Sequence, residues 1–381
     1  MTKIGIITMH SVLNYGSYLQ TLATYKFIEK LSLSPIIINY RYPTQYHKKY
    51  SANLNKSSQT SSISKPSLWS RIISKIAYCI IGYDRKKKEN KFFAFYDKYI
   101  KLTPPYNSEE ELNQNPPICD TYIVGSDQVW NPLFIHHDKS FFLSWVPKGC
   151  KKISYASSVA IKNIPEEFIN DYTTELNTFS AISVREESCT LKKILNREIK
   201  SVLDPTFLLN KREWACYFDK APIVKHKYIL CYILNYSYNP YPYIYDVIEK
   251  ARKELGYKVI IIDGNPAEIY KRYKICTNIG PSEFLNLFYN AEFIITTSFH
   301  GTAFSINFNK DFVSIINDIS SNDNRILSLT KQMELTNDCI IYKNTPIDQI
   351  HFPHIDYQKS NIQLETLRQD SINYLKNALN Y

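Results

Sequence analysis

The chain has 381 residues, of which 44% are hydrophobic and 22% charged, which is typical of a globular protein with two domains and excludes a disordered chain. Its formal net charge is +10 at pH 7, yet the stretch from Arg41 to Lys101 holds 14 Lys and Arg residues against three acidic ones and so accounts for +11. The basic residues therefore belong to one insertion, at about residues 43–101, in a nearly neutral protein. Since no recognition motif accompanies the charge, we expect no nucleic-acid partner.

The eight cysteines are scattered and include no CxxC pair, so the chain lacks the ligand spacing of a zinc site and the pattern of a disulfide framework. We expect no metal ion and no cofactor. The N-terminus begins with the predicted strand KIGIITMH instead of a signal peptide, and no run of about 18 uncharged apolar residues is long enough to span a bilayer. These features predict a cytoplasmic protein.

Predicted strands and helices alternate along the chain, which indicates parallel sheets with crossover helices and an α/β fold. In the first half, helices are predicted near 17–32, 89–101 and 165–179. The predicted strands there are KIGIITMH, PIIINY, TYIVGSD, KISYAS and AISVRE. The segment SVLDPTFLL closes this half near residue 209, so we predict a first Rossmann-like domain at 1–209.

The second half repeats the pattern after a predicted surface linker at 210–227. Its predicted strands are YILCYILN, KVIIID, EFIITTS and DFVSII, and its predicted helices are 241–256, PSEFLNLFYNA, HGTAFSINFN and NRILSLTKQM. We therefore predict a second Rossmann-like domain at 210–345, which faces the first across a cleft. A helical tail at 346–381 is predicted to pack back on the first domain. Ligands of such sheets bind outside the carboxyl ends of the strands.

Within the insertion, residues 68–83 (LWSRIISKIAYCIIGY) have an apolar stripe at helical spacing, and four basic residues follow at 85–88. A basic helix with an apolar stripe can bind the surface of a membrane that contains anionic lipids. It can equally pack on the protein core with its basic residues in solvent. Residues 68–88 are therefore predicted either to bind the inner face of the membrane peripherally or to form a core-facing helix.

The segment TTSFHGTAFSI predicts the sharpest candidate site. A strand ends at Thr297–Ser298 and a helix begins near His300, and the N–H groups and dipole of a helix start attract an anion. Gly301 would let a ligand approach the backbone closely, and His300 could donate a proton. The alternative is that His300 only caps the helix. The residues predicted here to bind an anionic ligand, the donor substrate of a transfer reaction, are Ser298, His300, Gly301 and Thr302.

Arg185 follows a predicted strand and carries a guanidinium group, which is suited to bidentate hydrogen bonding with phosphate or carboxylate. The alternative for Arg185 is a structural ion pair with a neighbouring acid. Arg325, on a later predicted helix, is a second candidate donor-binding cation, although a lone arginine on a helix is more often a solvated residue. Gly264, after the strand KVIIID, is a further candidate for the donor side of the cleft.

The strand TYIV is followed by short polar residues beside a tryptophan, which would supply hydrogen bonds to sugar hydroxyls and a flat ring for the sugar face. Asp127 could also act as a general base toward a hydroxyl. The alternative is a simple turn, since Gly, Asp and Asn all suit turns. A second junction, MHSVLNYGSYLQ, lacks the GxGxxG dinucleotide motif and is predicted to line the cleft. The candidate acceptor-binding residues are Asn14, Tyr15, Gly16, Ser126, Asp127, Gln128, Trp130 and Asn131.

Seven segments, in order from residue 3 to about 335, resemble one family, the polysaccharide pyruvyl transferases. They are KIGIITMHSVLNYGSYLQTLA, TYIVGSDQVWNP, KISYASS, SVREES, SVLDPTFLL, GPSEFLNLFYNAEFIITTSFHGTAFSI and NRILSLTKQM. The resemblance implies two domains arranged as in glycosyltransferase-B enzymes, with phosphoenolpyruvate as the donor in the cleft. It also implies that Arg185 and His300 contact phosphoenolpyruvate. Some members have an arginine two residues before that histidine, where this chain has Ser298.

The predicted function is transfer of the pyruvyl group of phosphoenolpyruvate to two hydroxyls of a sugar, which forms a ketal and releases phosphate. His300, Arg185 and Asp127 are the predicted catalytic residues. The acceptor would belong to a capsule or exopolysaccharide precursor, and a lipid-linked acceptor would account for a basic amphipathic helix. Two alternatives stay open: a glycosyltransferase that uses a nucleotide-sugar, which would share the architecture, and a sugar-binding scaffold without enzymatic activity.

Overall fold

The computed structural model describes residues 1–42, 68–186, 189–235, 237–262, 273–318, 325–335 and 337–381, with side chains at all of these positions except 68–82, 189, 274 and 337. Residues 43–67 of the basic insertion and the candidate Gly264 lie outside the described residues.

The first half of the chain folds around a parallel sheet. Its strands are β1 (Lys3–Ile7), β2 (Ser34–Ile37), β3 (Thr121–Val124) and β4 (Lys151–Ser154), in the order β2-β1-β3-β4. Isolated parallel bridges from β4 and the loop after it attach a short pair of strands, β5 (Ser183–Val184) and β6 (Lys200–Ser201). The helices are α1 (Tyr15–Lys30), α2 (Leu68–Tyr99), α3 (Glu109–Gln114), α4 (Pro132–Ile135), α5 (Glu166–Leu176) and α6 (Cys189–Leu195).

The second half contains a six-stranded parallel sheet in the order β12-β11-β10-β7-β8-β9. Its strands are β7 (Tyr228–Tyr232), β8 (Lys258–Ile262), β9 (Lys274–Cys276), β10 (Phe293–Thr296), β11 (Asp311–Ile316) and β12 (Ile340–Tyr342). The helices are α7 (Lys211–Trp214), α8 (Tyr243–Leu255), α9 (Pro281–Asn290), α10 (Phe299–Asn307), α11 (Arg325–Gln332) and α12 (Gln358–Leu379).

The predicted α/β fold with parallel sheets is confirmed by this topology. Strands β7 (YILCY) and β10 (FIIT) are buried along their whole length, because helices cover both faces of a parallel sheet and its strands are therefore apolar throughout. Three strands were not predicted, β6, β9 and β12, since each has only two or three residues and none stands out as an apolar run.

Helix α2 joins two segments that were predicted separately, the amphipathic helix at 68–83 and the helix near 89–101. It is one continuous helix from Leu68 to Tyr99. The isolated Gly82 costs about 1 kcal/mol relative to alanine and does not end the helix, because the following turns bury Phe92, Phe95 and Tyr96 in the core. Among the described residues, no helix combines the length and apolar character needed to cross a bilayer.

The predicted linker at 210–227 also begins as ordered structure. Asn210 caps α7 by accepting hydrogen bonds from the N–H groups of Arg212 and Glu213, and the carboxylate of Glu213 in turn accepts a hydrogen bond from the Asn210 N–H. Trp214 at the end of this helix is completely buried. The first turn of the predicted linker is therefore part of the core.

Helix α1 joins the two halves. Residues on every side of it are buried, because the helix packs against the loop that follows β6 and against α2 and α9. At its first residue, Tyr15 stacks on Phe284 of α9 with ring centroids 4.5 Å apart, and its hydroxyl donates to the carbonyl of Ile279. One hydrophobic core thus runs from the first sheet to the helices of the second.

The C-terminal helix α12 packs on the segment after β6. The hydroxyl of Ser371 accepts a hydrogen bond from the N–H of Leu203, and Nε of the buried Arg368 donates to the carbonyl of Phe207. The hydroxyl of Tyr374 donates to the carbonyl of Ser154 at the end of β4. Residues of the last helix therefore hold the backbone at the end of the first half.

Candidate functional site

The candidate site lies where the carboxyl ends of both sheets meet. In the first sheet the strand order reverses between β1 and β3, and in the second it reverses between β7 and β10. Ligands bind at such reversal points, because the loops that leave neighbouring strands diverge there and open a crevice. The segments that follow β1, β3, β5 and β10 carry Gly16, Asp127, Arg185 and His300, which the structure brings together.

His300 is at the second position of α10. The residue that caps this helix is Ser298, whose hydroxyl accepts a hydrogen bond from the N–H of Gly301. His300 therefore does not serve as the cap. Its ring is nearly buried, and Nε2 lies 3.6 Å from Oδ2 of Asp204, which is longer than a hydrogen bond.

Two donor-binding predictions at this helix correspond to internal contacts. The absent side chain of Gly301 makes room for Thr296, since a Cβ atom would overlap the threonine hydroxyl. The hydroxyl of Thr302 donates to the carbonyl of Ser298 and lies 2.7 Å from the hydroxyl of Ser314. These two residues fix the start of α10 against the sheet. The space beside Gly301 is occupied by the Thr296 side chain and not by a ligand, which corrects the prediction that a ligand approaches this glycine closely.

Asp204 lies at the centre of the site. Its Oδ2 accepts hydrogen bonds from Nη1 of Arg185 at 2.8 Å and from the hydroxyl of Ser126 at 3.2 Å. Its Oδ1 accepts from both the N–H and the hydroxyl of Thr206. Burial by itself would raise the pKa of this carboxyl, but the charges of His300 and Arg185 and the hydrogen bond from Arg185 hold it well below its ordinary value.

Arg185 is buried beside this carboxylate. Its guanidinium also lies over the ring of Phe299, 4.3 Å from the ring centroid. The alternative of a structural ion pair is thus partly correct, because one nitrogen is committed to Asp204. Nε and Nη2 of Arg185, however, are buried and have no hydrogen-bond acceptor among the described residues. Nε lies 3.7 Å from a Glu186 oxygen.

Asp127 faces the same cluster from the loop after β3. Its backbone has φ +74°, a left-handed conformation that non-glycine residues rarely adopt. Its carboxylate accepts hydrogen bonds from the Ser17 hydroxyl at 2.6 Å and from the Gln128 N–H. Burial would raise the pKa of Asp127, but the charges of His300 and Arg185 outweigh burial and lower it, so Asp127 stays ionised.

Arg325, the first residue of α11, is buried and completes the cationic side of the site. Its guanidinium lies 5.9 Å from the centroid of the Phe299 ring, so both arginines contact one aromatic side chain. A narrow pocket between Arg185 and Arg325 has about 10 Å³ of room, about the space that one water molecule needs. A larger ligand therefore requires these side chains to separate.

Several predicted acceptor-binding residues do not face the cleft. Trp130 is fully buried, stacks parallel to Phe142 at 6.2 Å and donates from Nε1 to the carbonyl of Phe141. The prediction of a sugar-stacking ring is therefore wrong for Trp130, because the ring faces the core. The phenol of Tyr15 lies between the two halves, as described above.

The remaining acceptor-side predictions are hydrogen-bonded within their own loops. Asn14 caps α1 by accepting from the Gly16 and Ser17 N–H groups. Asn131 caps α4 and donates to the side chain of Gln128, and the Ser126 hydroxyl donates to Asp204. The turn that was the alternative for this loop is thus present, and Asp127 projects from it toward the site.

The sequence analysis missed Asp204 and Phe299 as site residues. Asp204 is in SVLDPTFLL, shortly after the end of β6 at Ser201 and directly before a proline, and this position near a strand end was the available signal. Phe299 directly precedes His300, and its apolar side chain gave no indication in the sequence of a role in the site. Within the described residues, no group of three or more His, Cys, Asp or Glu side chains is arranged to hold a metal ion.

Comparison with known proteins identifies the family. The model of the polysaccharide pyruvyl transferase family matches residues 14–319, which include the candidate site residues from Asn14 to His300. The chain belongs to the polysaccharide pyruvyl transferase family. This confirms the resemblance noted in the sequence, and it makes the protein a transferase. No curated protein matches the chain at a significant level.

Solved structures of other proteins resemble the chain over its whole length at low identity. The UDP-GlcNAc 2-epimerase of Methanocaldococcus jannaschii is 13% identical with a TM-score of 0.45, and 97% of this chain and 100% of the epimerase are covered. The UDP-bound MnaA of S. aureus is 12% identical with a TM-score of 0.47, and 100% of this chain and 97% of MnaA are covered. The glycosyltransferase of kitacinnamycin is 10% identical with a TM-score of 0.46, and 98% of this chain and 95% of the glycosyltransferase are covered. Since these scores are below 0.5, the assignment to a family rests on the sequence match.

Proposed function

We propose that this transferase moves the pyruvyl group of phosphoenolpyruvate onto two hydroxyls of one sugar in a cell-surface polysaccharide precursor, which forms a ketal and releases inorganic phosphate. The observation that supports the donor is the guanidinium of Arg185. It is buried, and its Nε and Nη2 have no hydrogen-bond acceptor among the described residues. Buried donors without a partner are costly, so an anion with several oxygens would satisfy them.

Three further features favour a small phosphorylated anion at this place. Helix α10 has nine residues and directs its N-terminus at the site, and the partial positive charge there attracts phosphate or carboxylate. Arg325 lies near Arg185 across the Phe299 ring. The two guanidinium groups and the helix start offer separate positive partners for the phosphate and the carboxylate of phosphoenolpyruvate.

The proposed chemistry uses His300 as the acid and Asp127 as the base. His300 gives a proton to the methylene carbon, and the first sugar hydroxyl bonds to the neighbouring carbon while Asp127 accepts the hydroxyl proton. The second hydroxyl then bonds to the same carbon as the carbon–oxygen bond to phosphate breaks, and its proton leaves with the phosphate. Proton exchange with solvent restores both side chains. Arg185 stabilises the departing phosphate, a contribution of about 3–4 kcal/mol for a well-placed donor.

The donor has to enter a pocket that has little room while Arg185 and Arg325 lie close to Phe299. We propose that binding separates the two arginines, since each would exchange its contact with the Phe299 ring for a hydrogen bond to the anion. Ser298, where some family members have an arginine, is occupied as the cap of α10. Arg325 would then supply the second positive charge.

The reaction is tested by incubation of the full chain with phosphoenolpyruvate and a panel of lipid-linked or aryl glycosides. We expect release of inorganic phosphate and an acceptor mass increased by one pyruvate minus one water. A parallel panel of nucleotide-sugars should release no nucleoside diphosphate. Transfer of a sugar from a nucleotide donor, with no change in the presence of phosphoenolpyruvate, would overturn the proposal.

His300→Gln tests the acid, with His10→Gln as the matched control. Both histidines are buried, but His10 bonds to Thr8 and Asn39 at the end of β1. Proton transfer by a positioned side chain contributes about 10²–10⁴-fold, so we expect a loss of that size for His300→Gln and nearly normal turnover for His10→Gln. Equal turnover in both variants would remove His300 from the mechanism.

We also propose that the basic part of α2, at Arg85, Lys86 and Lys87, brings the enzyme to an anionic membrane surface that carries a lipid-linked acceptor. Arg85, Lys86 and Lys87 on this helix are exposed, and the insertion holds the excess positive charge of the chain. Further along the helix, Lys91 pairs with Glu283 of α9. The helix therefore ends in the core while its basic part stays in solvent.

Charge reversal tests membrane binding better than deletion of residues 51–88, because Asp84 accepts a hydrogen bond from Thr277 and its loss would disturb the fold. The triple change of Arg85, Lys86 and Lys87 to Glu should abolish binding to vesicles that contain anionic lipid. The control is the triple change of the exposed Lys220, Lys225 and Lys227 to Glu. Equal binding of both variants to the vesicles would contradict the membrane proposal and would not affect the proposal for the transfer reaction.

A further inference from the structure

We propose that Asp204 is a positioning residue for the transfer reaction, and that its carboxylate holds the anion-binding Arg185 and the proton donor His300 in one arrangement. The inference rests on the proposed function. Asp204 comes from the first half of the chain and His300 from the second, so the contact between them sets where the two halves place their reactive groups.

The contacts of the two carboxylate oxygens differ. Oδ1 is held by Thr206, through the backbone N–H at 3.0 Å and the hydroxyl at 2.8 Å. Oδ2 faces the site, where it accepts from Arg185 and Ser126 and lies 3.6 Å from Nε2 of His300. One oxygen is thus an anchor to the protein, and the other orients the groups that would touch the donor.

The backbone that carries Asp204 is fixed from several directions. The Leu203 N–H donates to Ser371 of α12, and the Leu203 carbonyl accepts from the hydroxyl of Tyr155. The carbonyl of Thr206 accepts from Nε1 of Trp214 and from Nδ2 of Asn307, which is at the end of α10. Because the same helix begins beside His300, this backbone and the histidine are tied to one rigid element.

The charge of Asp204 distinguishes positioning from donor binding. A carboxylate beside an anion site repels the anion, so its removal should not weaken the binding of phosphate. It should instead free Arg185 from its ion pair and remove the negative charge that attracts a protonated His300. The low pKa of Asp204 agrees with a carboxylate that stays charged throughout the working pH range.

The test compares Asp204→Asn with Asp138→Asn. Asp138 has a similar structural task, since it accepts from the Ser140 N–H and the Tyr40 hydroxyl, but it has no contact with Arg185 or His300. A misplacement of about 1 Å costs on the order of 100-fold in rate. We therefore expect kcat to fall about 100-fold in Asp204→Asn, while the dissociation constant of inorganic phosphate, measured by calorimetry, stays equal or becomes smaller. Asp138→Asn should keep both values.

Unchanged kcat in Asp204→Asn, or a parallel loss of kcat and phosphate affinity, would overturn the inference. Should Asp204→Asn fail to fold, Thr206→Val removes only the hydroxyl that anchors Oδ1 and keeps the charge. It should lower kcat about 10-fold, which corresponds to a smaller displacement, with phosphate affinity unchanged; wild-type kcat in this variant would equally overturn the inference. Failure of the proposed function is distinct, since the wild-type protein would then release no phosphate from phosphoenolpyruvate, while the phosphate titration would still report on Asp204.

Discussion

Gly16 and His300 are in direct contact across the junction of the two halves. A Cβ atom on Gly16 would overlap the imidazole ring of His300, with Nδ1 as the nearest atom. Gly16 is in the first turn of α1 and His300 in the first turn of α10. The starts of two helices, each after a strand at the reversal point of its sheet, therefore meet at the proposed acid, and the absent side chain of Gly16 defines the position of the ring.

Gly16→Ala should displace His300 and lower turnover. The added methyl group has to push the imidazole ring out of its present position beside Asp204, and a shift of about 1 Å costs on the order of 100-fold in rate. The measurement is kcat for phosphate release from phosphoenolpyruvate, together with the thermal midpoint of unfolding.

The matched control is Gly280→Ala, where the new Cβ would meet Lys91 instead of the site. This control should lower the thermal midpoint and keep kcat. The idea that Gly16 sets the ring position would be abandoned if both variants lost the same fraction of kcat.

Trp130→Phe should destabilise the protein without an effect on the acceptor. The ring is buried between Phe142 and Phe179, and the change removes a donor to the Phe141 carbonyl as well as ring volume. Together these cost about 1–3 kcal/mol of the free energy of unfolding. The KM for the sugar should stay within about two-fold, because the Trp130 ring faces the core and not the cleft. A lost contact with the sugar would instead change KM about ten-fold for each 1.4 kcal/mol of binding free energy. A raised KM with unchanged stability would restore the ring to the acceptor site.

Arg368→Ala should weaken the link between the last helix and the site. Its Nε donates to the carbonyl of Phe207 in the segment that carries Asp204, and a hydrogen bond to a charged group contributes about 1.5–3 kcal/mol. Urea unfolding should show a loss of this size, and kcat should fall with it.

Gln369→Ala serves as the control. Gln369 lies on the exposed side of the same helix, and among the described residues its side chain bonds only to Asn373 in the next turn. We expect this variant to leave both the free energy of unfolding and kcat unchanged. Equal values for the two variants would show that the C-terminal helix does not support the site.

The low pKa of Asp204 predicts a definite pH dependence of stability. Because its pKa is lower in the folded protein than in the unfolded chain, the carboxylate contributes stability that is complete above about pH 4 and is lost as the pH falls below that value. Asp204→Asn leaves Arg185 buried without its partner, which costs about 3–5 kcal/mol at neutral pH.

The measurement is the free energy of unfolding of both proteins by urea between about pH 7 and pH 3. The difference between wild type and Asp204→Asn should be constant down to about pH 5 and should shrink below about pH 4. A difference that grows on acidification would show that Asp204 is not ionised in the folded protein.

Much of the fold was predictable because its strands are locally distinct. β7, β8, β10 and β11 are apolar runs of four to six residues between helices, and α9 begins with the Gly-Pro start signal of a helix. The site was predictable to the extent that Arg185 and His300 each follow a predicted strand, although the strand before Arg185, β5, has only two residues. Trp130 could not be assigned in the same way, since a ring next to a turn can face solvent or core, and only packing decides between them.

The sequence by itself determined the alternation of strands and helices, the family, and the two places where a cation and a histidine follow a strand end. These depend on local periodicity, on helix-start signals and on motif order, all of which are contained in short segments. Tertiary structure alone decided that Asp204 lies between Arg185 and His300, and that Gly16 makes room for the histidine ring. The reason is that parallel strands are ordered by packing between distant segments, and that order determines which loops share an edge of the sheet.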